Sequence, residues 1–234
     1  MDFQFIAHAF PEICKAIPIT LLMTFASAFF GWLLGLIVAM VRRSKVPVLS
    51  QIFAVLVSFN RSVPSIILLY IAYYVVPAAI YFYAKSIGKE IDVSVIPAVI
   101  YSIAALTLNQ AAYASEIFRT SIDAVGEGQV EAALSVGMTK TQAMFRIIFP
   151  QALATAIPNL SGLFIGLIKD TSLGYYVGVY EITSTANIIS MPTLNFIEAY
   201  IMTTIIYELL SFLFNRLFGA EEKHLTRFRA RVTA

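Results

Sequence analysis

The stretch IPITLLMTFASAFFGWLLGLIVAMV, residues 17–41, contains no charged side chain. A bilayer core about 30 Å thick needs about 20 helical residues to cross, so this run is long enough to span a membrane once. Within it Ala28, Gly31, Gly35 and Ala39 fall on one helical stripe, and the Gly-x-x-x-Gly pair allows another helix backbone to approach closely. The rest of the chain agrees with that environment. Of 234 residues, 59% are hydrophobic and 13% charged, and the mean hydropathy is +0.80. That leaves too little polar surface to cover a water-soluble globule of this size. The composition reads as an all-α integral membrane protein.

Residues 95–118 and 196–218 are further spans, and another covers 149–168, where Gly162 and Gly166 repeat the small-residue spacing. The segment 48–83 is ambiguous, because Asn60-Arg61-Ser62-Val63-Pro64 interrupts an apolar stretch that can hold one long tilted helix or two short ones. Charge arbitrates. With a single crossing there, Arg42, Arg43, Lys45, Arg119, Lys140, Arg146, Arg216, Lys223, Arg227, Arg229 and Arg231 all share one side, which the positive-inside rule makes cytoplasmic. Lys15, Lys85, Lys89 and Lys169 remain opposite. The expectation is five transmembrane helices in one domain over 1–234, with the N-terminus outside and the C-terminus cytoplasmic. Arg61 then lies in the inner half of the second span, where it can snorkel or pair with an acid.

The first residues, with Asp2, His8, Pro11 and Glu12, lack the basic start and short apolar run of a cleavable signal, so the first span is expected to be retained. A net charge of +2 with scattered basic residues gives no sign of nucleic-acid binding. The single cysteine, Cys14, reads as a packing or interface thiol.

Between the third and fourth spans the composition changes abruptly, over Gly126-Glu127-Gly128-Gln129-Val130-Glu131-Ala132-Ala133-Leu134-Ser135-Val136-Gly137-Met138. This loop, 124–148, is too polar to span. Glu131 to Val136 favours a short helix, Gly137 can end it in the left-handed conformation, and Thr139 with Gln142 has the capping-box spacing that starts another. Met144, Ile147, Ile148 and Phe149 give the second helix an apolar face leading into Pro150. The expected product is two short helices at the membrane surface, joined at a glycine hinge. An ordinary amphipathic surface helix fits the same pattern.

Gly128-Gln129, Glu131-Ala132-Ala133, Gly137 and Ile148-Phe149-Pro150-Gln151-Ala152 together resemble the Glu-Ala-Ala loop of the permease subunits of ABC importers, the binding-protein-dependent transport family. Phe149 stands where that family usually has leucine. The resemblance covers roughly 17–218, and Asn109, Ala112-Tyr113, Glu116-Ile117-Phe118-Arg119, Ile168 to Leu173 and Glu198-Ala199-Tyr200 resemble the polar amino acid branch. Arg61-Ser62-Val63-Pro64 departs from that branch's Arg-Gly-Thr-Pro in its middle pair. The resemblance implies a type I importer permease in a bacterial cell membrane, plasma or inner. Its loop would be a coupling helix docking on ABC ATPase subunits through Gly128, Gln129, Glu131, Ala132, Ala133, Gly137 and Pro150. It also implies a second permease subunit, identical or similar, an extracytoplasmic solute-binding protein, and an amino acid or relative such as cystine as substrate. ATP and Mg would act on the partner.

Polar groups within spans point to candidates for the path, since a central charge costs about 2.5–3.5 kcal/mol to insert. Asn109, Tyr113 and Glu116, spaced i, i+4 and i+7, share one stripe that can face a translocation route or simply bond neighbouring helices. Lys169, Asp170 and Ser172 form a second polar knot, able to hold an amino acid zwitterion or to pair internally. Glu208 lies among Ile205, Ile206, Leu209 and Leu210; an inward carboxylate paired with Arg61 is expected, against a polar helix contact or a protonated acid.

No Gly-x-x-x-x-Gly-Lys-[Ser/Thr] phosphate cradle occurs, so ATP must be handled by another chain. His/Cys metal spacing, a Gly-x-Ser-x-Gly elbow and His-Glu-x-x-His are also missing from the sequence, which leaves an enzyme reading without a constellation. His8 and His224 lie near opposite ends. The competing reading is an ion-coupled secondary transporter or channel using Glu116, Asp170 or Glu208.

Overall fold

The structure, a computed structural model, describes residues 1–44 and 46–232, with side chains through Ala220. The side chains of Lys45, Lys223, His224, Arg227, Arg229 and Arg231 lie outside the described residues. Eleven α-helices joined by short π and 3₁₀ turns make up the described chain, with no strand among the described residues. Helix α1 (Phe3–Cys14), not anticipated from the sequence, starts at Asp2, whose carboxylate accepts from the backbone N–H of Gln4 and Phe5. After the Lys15-Ala16 turn comes α2 (Ile17–Arg43), a continuous helix over the residues read from the sequence as the first span.

The segment read from the sequence as the second span is a broken helix. Helix α3 (Leu49–Ser62) stops because Pro64 disfavours the helical conformation at the residue before it, and Val63 is extended at φ −89° and ψ 133°. The chain resumes as α4 (Ser65–Tyr70), a π turn (Ile71–Val75) and α5 (Val76–Ser86), together a 22-residue apolar segment. Pro77 sits in the first turn of α5, the position where a missing N–H is tolerated.

Helix α6 (Ala98–Asp123) lies at the centre, and Ser102, Thr107, Asn109, Gln110 and Ser115 are buried on it. The positions that carry them pack against other helices, which is why α6 can hold so many polar side chains, while its Ile100 and Leu108 stay exposed. It runs parallel to α2. The seam between them begins where Ser27 Oγ donates to Ile103 O at 3.2 Å, passes Gly31 and Gly35, and ends where Arg42 meets Glu116. Two parallel helices require the chain between them to return from one end of the bundle to the other, which suits a single crossing by α3–α5.

Two short helices follow, α7 (Glu127–Ser135) and α8 (Lys140–Ala143). The expected second surface helix is corrected here. Helix α8 passes through a π turn (Met144–Ile148) directly into α9 (Phe149–Asp170). In that turn the Phe149 N–H bonds Met144 O, one residue wider than the α pattern, and Pro150 falls in the first turn of α9. A 3₁₀ segment (Thr171–Val177), α10 (Ile182–Ser190) and α11 (Phe196–Val232) complete the chain. Helix α11 is antiparallel to α9, as Phe164 meets Phe214 at 5.1 Å and Lys169 meets Glu208.

The main core joins Met23 and Ala28 of α2, Leu106 of α6, Phe164 and Leu167 of α9 and Met202 of α11. Phe25, Phe29, Phe30, Leu33 and Ile37 of α2 stay exposed, an apolar surface suited to hydrocarbon. By length and hydropathy the segments Phe3–Arg43, Ser65–Ser86, Lys140–Val177 and Phe196–Ala220 can cross a membrane. The polar, central α6 is long enough, at about 39 Å for its 26 residues, without being apolar enough to join them.

Candidate coupling elbow and translocation path

The elbow is built from local chemistry. Gly137 has φ +83°, the left-handed region that a Cβ disfavours. There the Gly137 N–H bonds Leu134 O at 3.0 Å and the Met138 N–H bonds Ala133 O at 3.1 Å, the paired bonds that close a helix end. Two residues on, Thr139 Oγ1 accepts from the Gln142 N–H and the Thr139 N–H donates to Gln142 Oε1 at 2.9 Å, the expected capping box. Beneath the elbow, Val125, Val130 and Met144 pack with Met40 of α2, Ile122 of α6 and Ile148 and Ala152 near the start of α9.

That packing sorts the predicted coupling residues. Gly128, Gln129, Glu131, Ala132 and Gly137 are exposed, as is Pro150 at the start of α9. Ala133 is 6% exposed and faces its own bundle, so it cannot touch a partner. The exposed face also carries Val136 and Phe145, 75% and 66% exposed, and Leu134. These apolar side chains were not singled out in the sequence, where apolar residues on either face of so short a helix look alike.

The polar candidates fall at separate stations. Asn109 is buried and its Nδ2 donates to Ser65 Oγ at 3.4 Å, beside the break after α3. The Tyr113 hydroxyl donates to Arg61 O at 3.5 Å, and the Arg61 guanidinium lies 5.3 Å from the centroid of the Tyr113 ring. Glu116 instead turns toward α2 and is held by Arg42 and Arg119. The shared stripe of sequence spacing thus serves two different contacts.

The expected Arg61–Glu208 pair is overturned. Glu208 takes Lys169 Nζ at 2.8 Å, because antiparallel α9 and α11 bring those two together while Arg61 sits across the bundle edge over Tyr113. Lys169 therefore pairs with Glu208 and not with Asp170. The pair stands on the outside of the single chain, with side chains 49% and 64% exposed, halfway along the apolar segment Phe196–Ala220. Ser172 Oγ donates to Lys169 O at 2.7 Å, capping the end of α9.

Residues 31–227 match the family model described as "Binding-protein-dependent transport system inner membrane component". This chain belongs to that family. The permease is 37% identical over 227 residues to the "Probable amino-acid permease protein YxeN" of Bacillus subtilis (strain 168), with 97% of each chain covered. It is 33% identical to the "L-cystine transport system permease protein TcyL" of the same organism, over 99% of this chain and 94% of that one. Among solved structures, a chain of an amino acid ABC transporter crystallised with histidines superposes with a TM-score of 0.81 at 29% identity, covering 96% of this chain and 99% of that one. The fold is that of a type I ABC importer permease, and the protein is a transport subunit.

In this permease a further polar cluster escaped the sequence reading. Glu181, fully buried, accepts from the backbone N–H of Thr183 at 2.9 Å and of Ser184 at 2.7 Å, so it caps α10. The Tyr207 hydroxyl of α11 donates to Glu181 Oε2 at 2.7 Å. Burial pushes the carboxyl above its ordinary value while these hydrogen bonds pull against it. Glutamate is not among the preferred capping residues, and no spacing rule flags it. A cavity of about 330 Å³ between α2, α3 and α6 is lined by Leu34, Val38, Leu56, Val57, Leu108 and Asn60. Its lining suits a hydrocarbon group and not a zwitterion. No metal-holding cluster of His, Cys, Asp and Glu occurs among the described residues.

Proposed function

We propose that this permease forms half of the translocation path for a polar amino acid or close relative, cystine being one candidate, and draws its energy from a separate ATPase. The observation that carries the coupling is the capped elbow, whose outer face presents Gln129, Glu131, Ala132, Leu134 and Val136 beyond the bundle while its inner face is seated on three spans. A rigid, surface-mounted wedge of that kind suits a groove on a partner. Bulkier side chains at Gly128 or Ala132 would hold the partner away. ATP and Mg belong to the ATPase.

The path is placed on the side of the bundle that carries Lys169 and Glu208. An ion pair exposed along an apolar span is costly against lipid and inexpensive against water or another subunit. A second permease subunit facing this one, identical or similar, would enclose that side, with Asp170 and Ser172 next to it and Arg61, Asn109 and Tyr113 along the α3–α4 break. Five crossings are supported by the parallel α2 and α6 and by the reversal of direction from α6 to α9 and again to α11. The basic residues then make the elbow side cytoplasmic and the N-terminus external, where a solute-binding protein delivers substrate. ATP binding draws the two ATPases together, the elbows turn the spans, and the path opens to alternate sides. The amino acid permeases of high similarity, TcyL among them, support the substrate class.

Affinity-tagged permease should bring an ATPase subunit with it. Gly137→Leu, which forces a branched side chain to φ +83°, should keep ATP hydrolysis while uptake into cells or liposomes falls. Normal uptake by that variant would remove the elbow from the mechanism. The substrate is found by substrate-stimulated ATP hydrolysis across an amino acid panel, with the binding protein supplied.

A further inference from the structure

We propose that five alternating charges at the elbow end of the bundle form a clamp that makes α2 and α6 one lever. The inference rests on the coupling role of the elbow. The charges follow one another in space: Arg42 Nη1 bonds Glu116 Oε2 at 2.9 Å, Glu116 pairs with Arg119, Arg119 Nη1 bonds Asp123 Oδ2 at 3.0 Å, and Asp123 pairs with Arg43. Glu116, Arg119 and Asp123 are i, i+3 and i+7 on α6 and so share a face, while both outer arginines come from the last turn of α2. Each carboxylate has two guanidinium partners and Arg119 has two carboxylates. Loss of Glu116 or Asp123 leaves an outer arginine of α2 without its acid, and loss of Arg42 or Arg43 removes one of the two ties between α2 and α6.

The position of this clamp gives it a mechanical task. On one side of it α2 and α6 touch at glycines, where a Cβ at Gly35 would lie 2.8 Å from Ala114 Cβ and 2.9 Å from Ala111 O. The helices cannot slide there without collision. On the other side only Ala124, Val125 and Gly126 separate α6 from α7, and Val125, Val130 and Met40 of α2 all pack on one buried cluster of Ile122 of α6 with Ile148 and Ala152. A push on α7 is therefore received by both helices. Packing alone would leave the last turn of α2 free to part from α6; five side chains, 16–45% exposed and so partly shielded from water, close that end. Glu116 becomes a positioning residue that acts through the placement of α2 and α6, with no carboxylate oxygen left for a substrate.

The test uses the complete complex with its ATPase in lipid nanodiscs, in a Cys14→Ser background. Spin labels at Ser44→Cys and Thr120→Cys, both exposed at the clamp end, report the α2–α6 distance. With the clamp intact that distance should be the same without nucleotide and with ATP bound. Glu116→Gln should broaden it and lower transport per ATP hydrolysed by about five-fold. Arg42→Gln should do the same, the double variant should be no worse than either single one, and Arg42→Lys should restore most of the loss. A wild-type distance that changes between nucleotide states overturns the clamp, as does normal coupling in Glu116→Gln or Arg43→Gln. Cross-linking of Glu131→Cys to the ATPase separates the two ideas: if it forms while the distance changes, the elbow stands and the clamp falls. If it fails, the coupling role falls first.

Discussion

Replacing Gly31 by alanine places a Cβ 2.5 Å from Gln110 Cβ and 2.9 Å from Thr107 O, in the seam between α2 and α6. Ordinary carbon contacts lie at about 3.5–4.0 Å, so the helices must part by about 1 Å. Overpacking of this kind costs about 1–3 kcal/mol. Gln110 must also move, which weakens the 3.3 Å bond it accepts from Trp32 Nε1 and adds about 0.5–1.5 kcal/mol. Together these terms cost about 1.5–4.5 kcal/mol, and the helix propensity that alanine gains over glycine, about 1 kcal/mol, leaves an expected loss of about 0.5–3.5 kcal/mol. Gly162 and Gly166 repeat the same spacing, yet a Cβ on either meets no atom within 4 Å. Alanine there should cost nothing within the single chain and can gain about 1 kcal/mol of helix propensity. Unfolding of the purified permease in mixed micelles, titrated with SDS, reads the difference through Trp32, the one tryptophan of the sequence. The seam argument fails if Gly31→Ala unfolds at the wild-type midpoint, or if Gly166→Ala unfolds as early as Gly31→Ala.

Exchanging the charges of Lys169 and Glu208 together should preserve transport that either single reversal impairs, because the pair needs opposite signs and not a particular order; equal loss in all three variants would refute it. Glu181 lies outside the apolar segments 140–177 and 196–220, and burial raises its carboxyl above the ordinary 4.5. A carboxyl raised on folding binds its proton more tightly in the folded state, so its contribution to stability is full below pH 4.5 and is lost as the pH climbs through the folded value. Wild type should lose stability upward from there and Glu181→Gln should flatten that slope; superimposable pH profiles would assign the effect elsewhere. Glu181→Leu should be far worse than Glu181→Gln, since it strands two backbone N–H groups, at about 1–3 kcal/mol for each buried donor, and leaves the Tyr207 hydroxyl with Thr183 Oγ1 alone. Thermal unfolding of the two variants side by side measures this.

The membrane class, the positions of the long helices and the elbow were legible in the sequence because each depends on short-range chemistry. Hydropathy over 17–41 is a property of consecutive residues, the positive φ of Gly137 is a property of one backbone position, and the Thr139–Gln142 capping box spans four residues. Pro64 likewise announces the break at Val63. The outcome of the other polar residues depended on neighbours far away in the chain. Glu208 finds Lys169 across 39 residues, Arg42 finds Glu116 across 74, and Glu181 finds Tyr207 across 26. Helical spacing placed Asn109, Tyr113 and Glu116 on one stripe correctly, but four helices, α2, α3, α4 and α9, pack around α6, and which of them each side chain meets is set by the packing. The two glycine pairs make the same point. Gly31/Gly35 and Gly162/Gly166 are identical as patterns, and only the fold puts α6 against the first and open space against the second. Residue chemistry determines what a segment can become, whereas crossing angles and helix order, which arise from the whole bundle at once, decide which partner it meets.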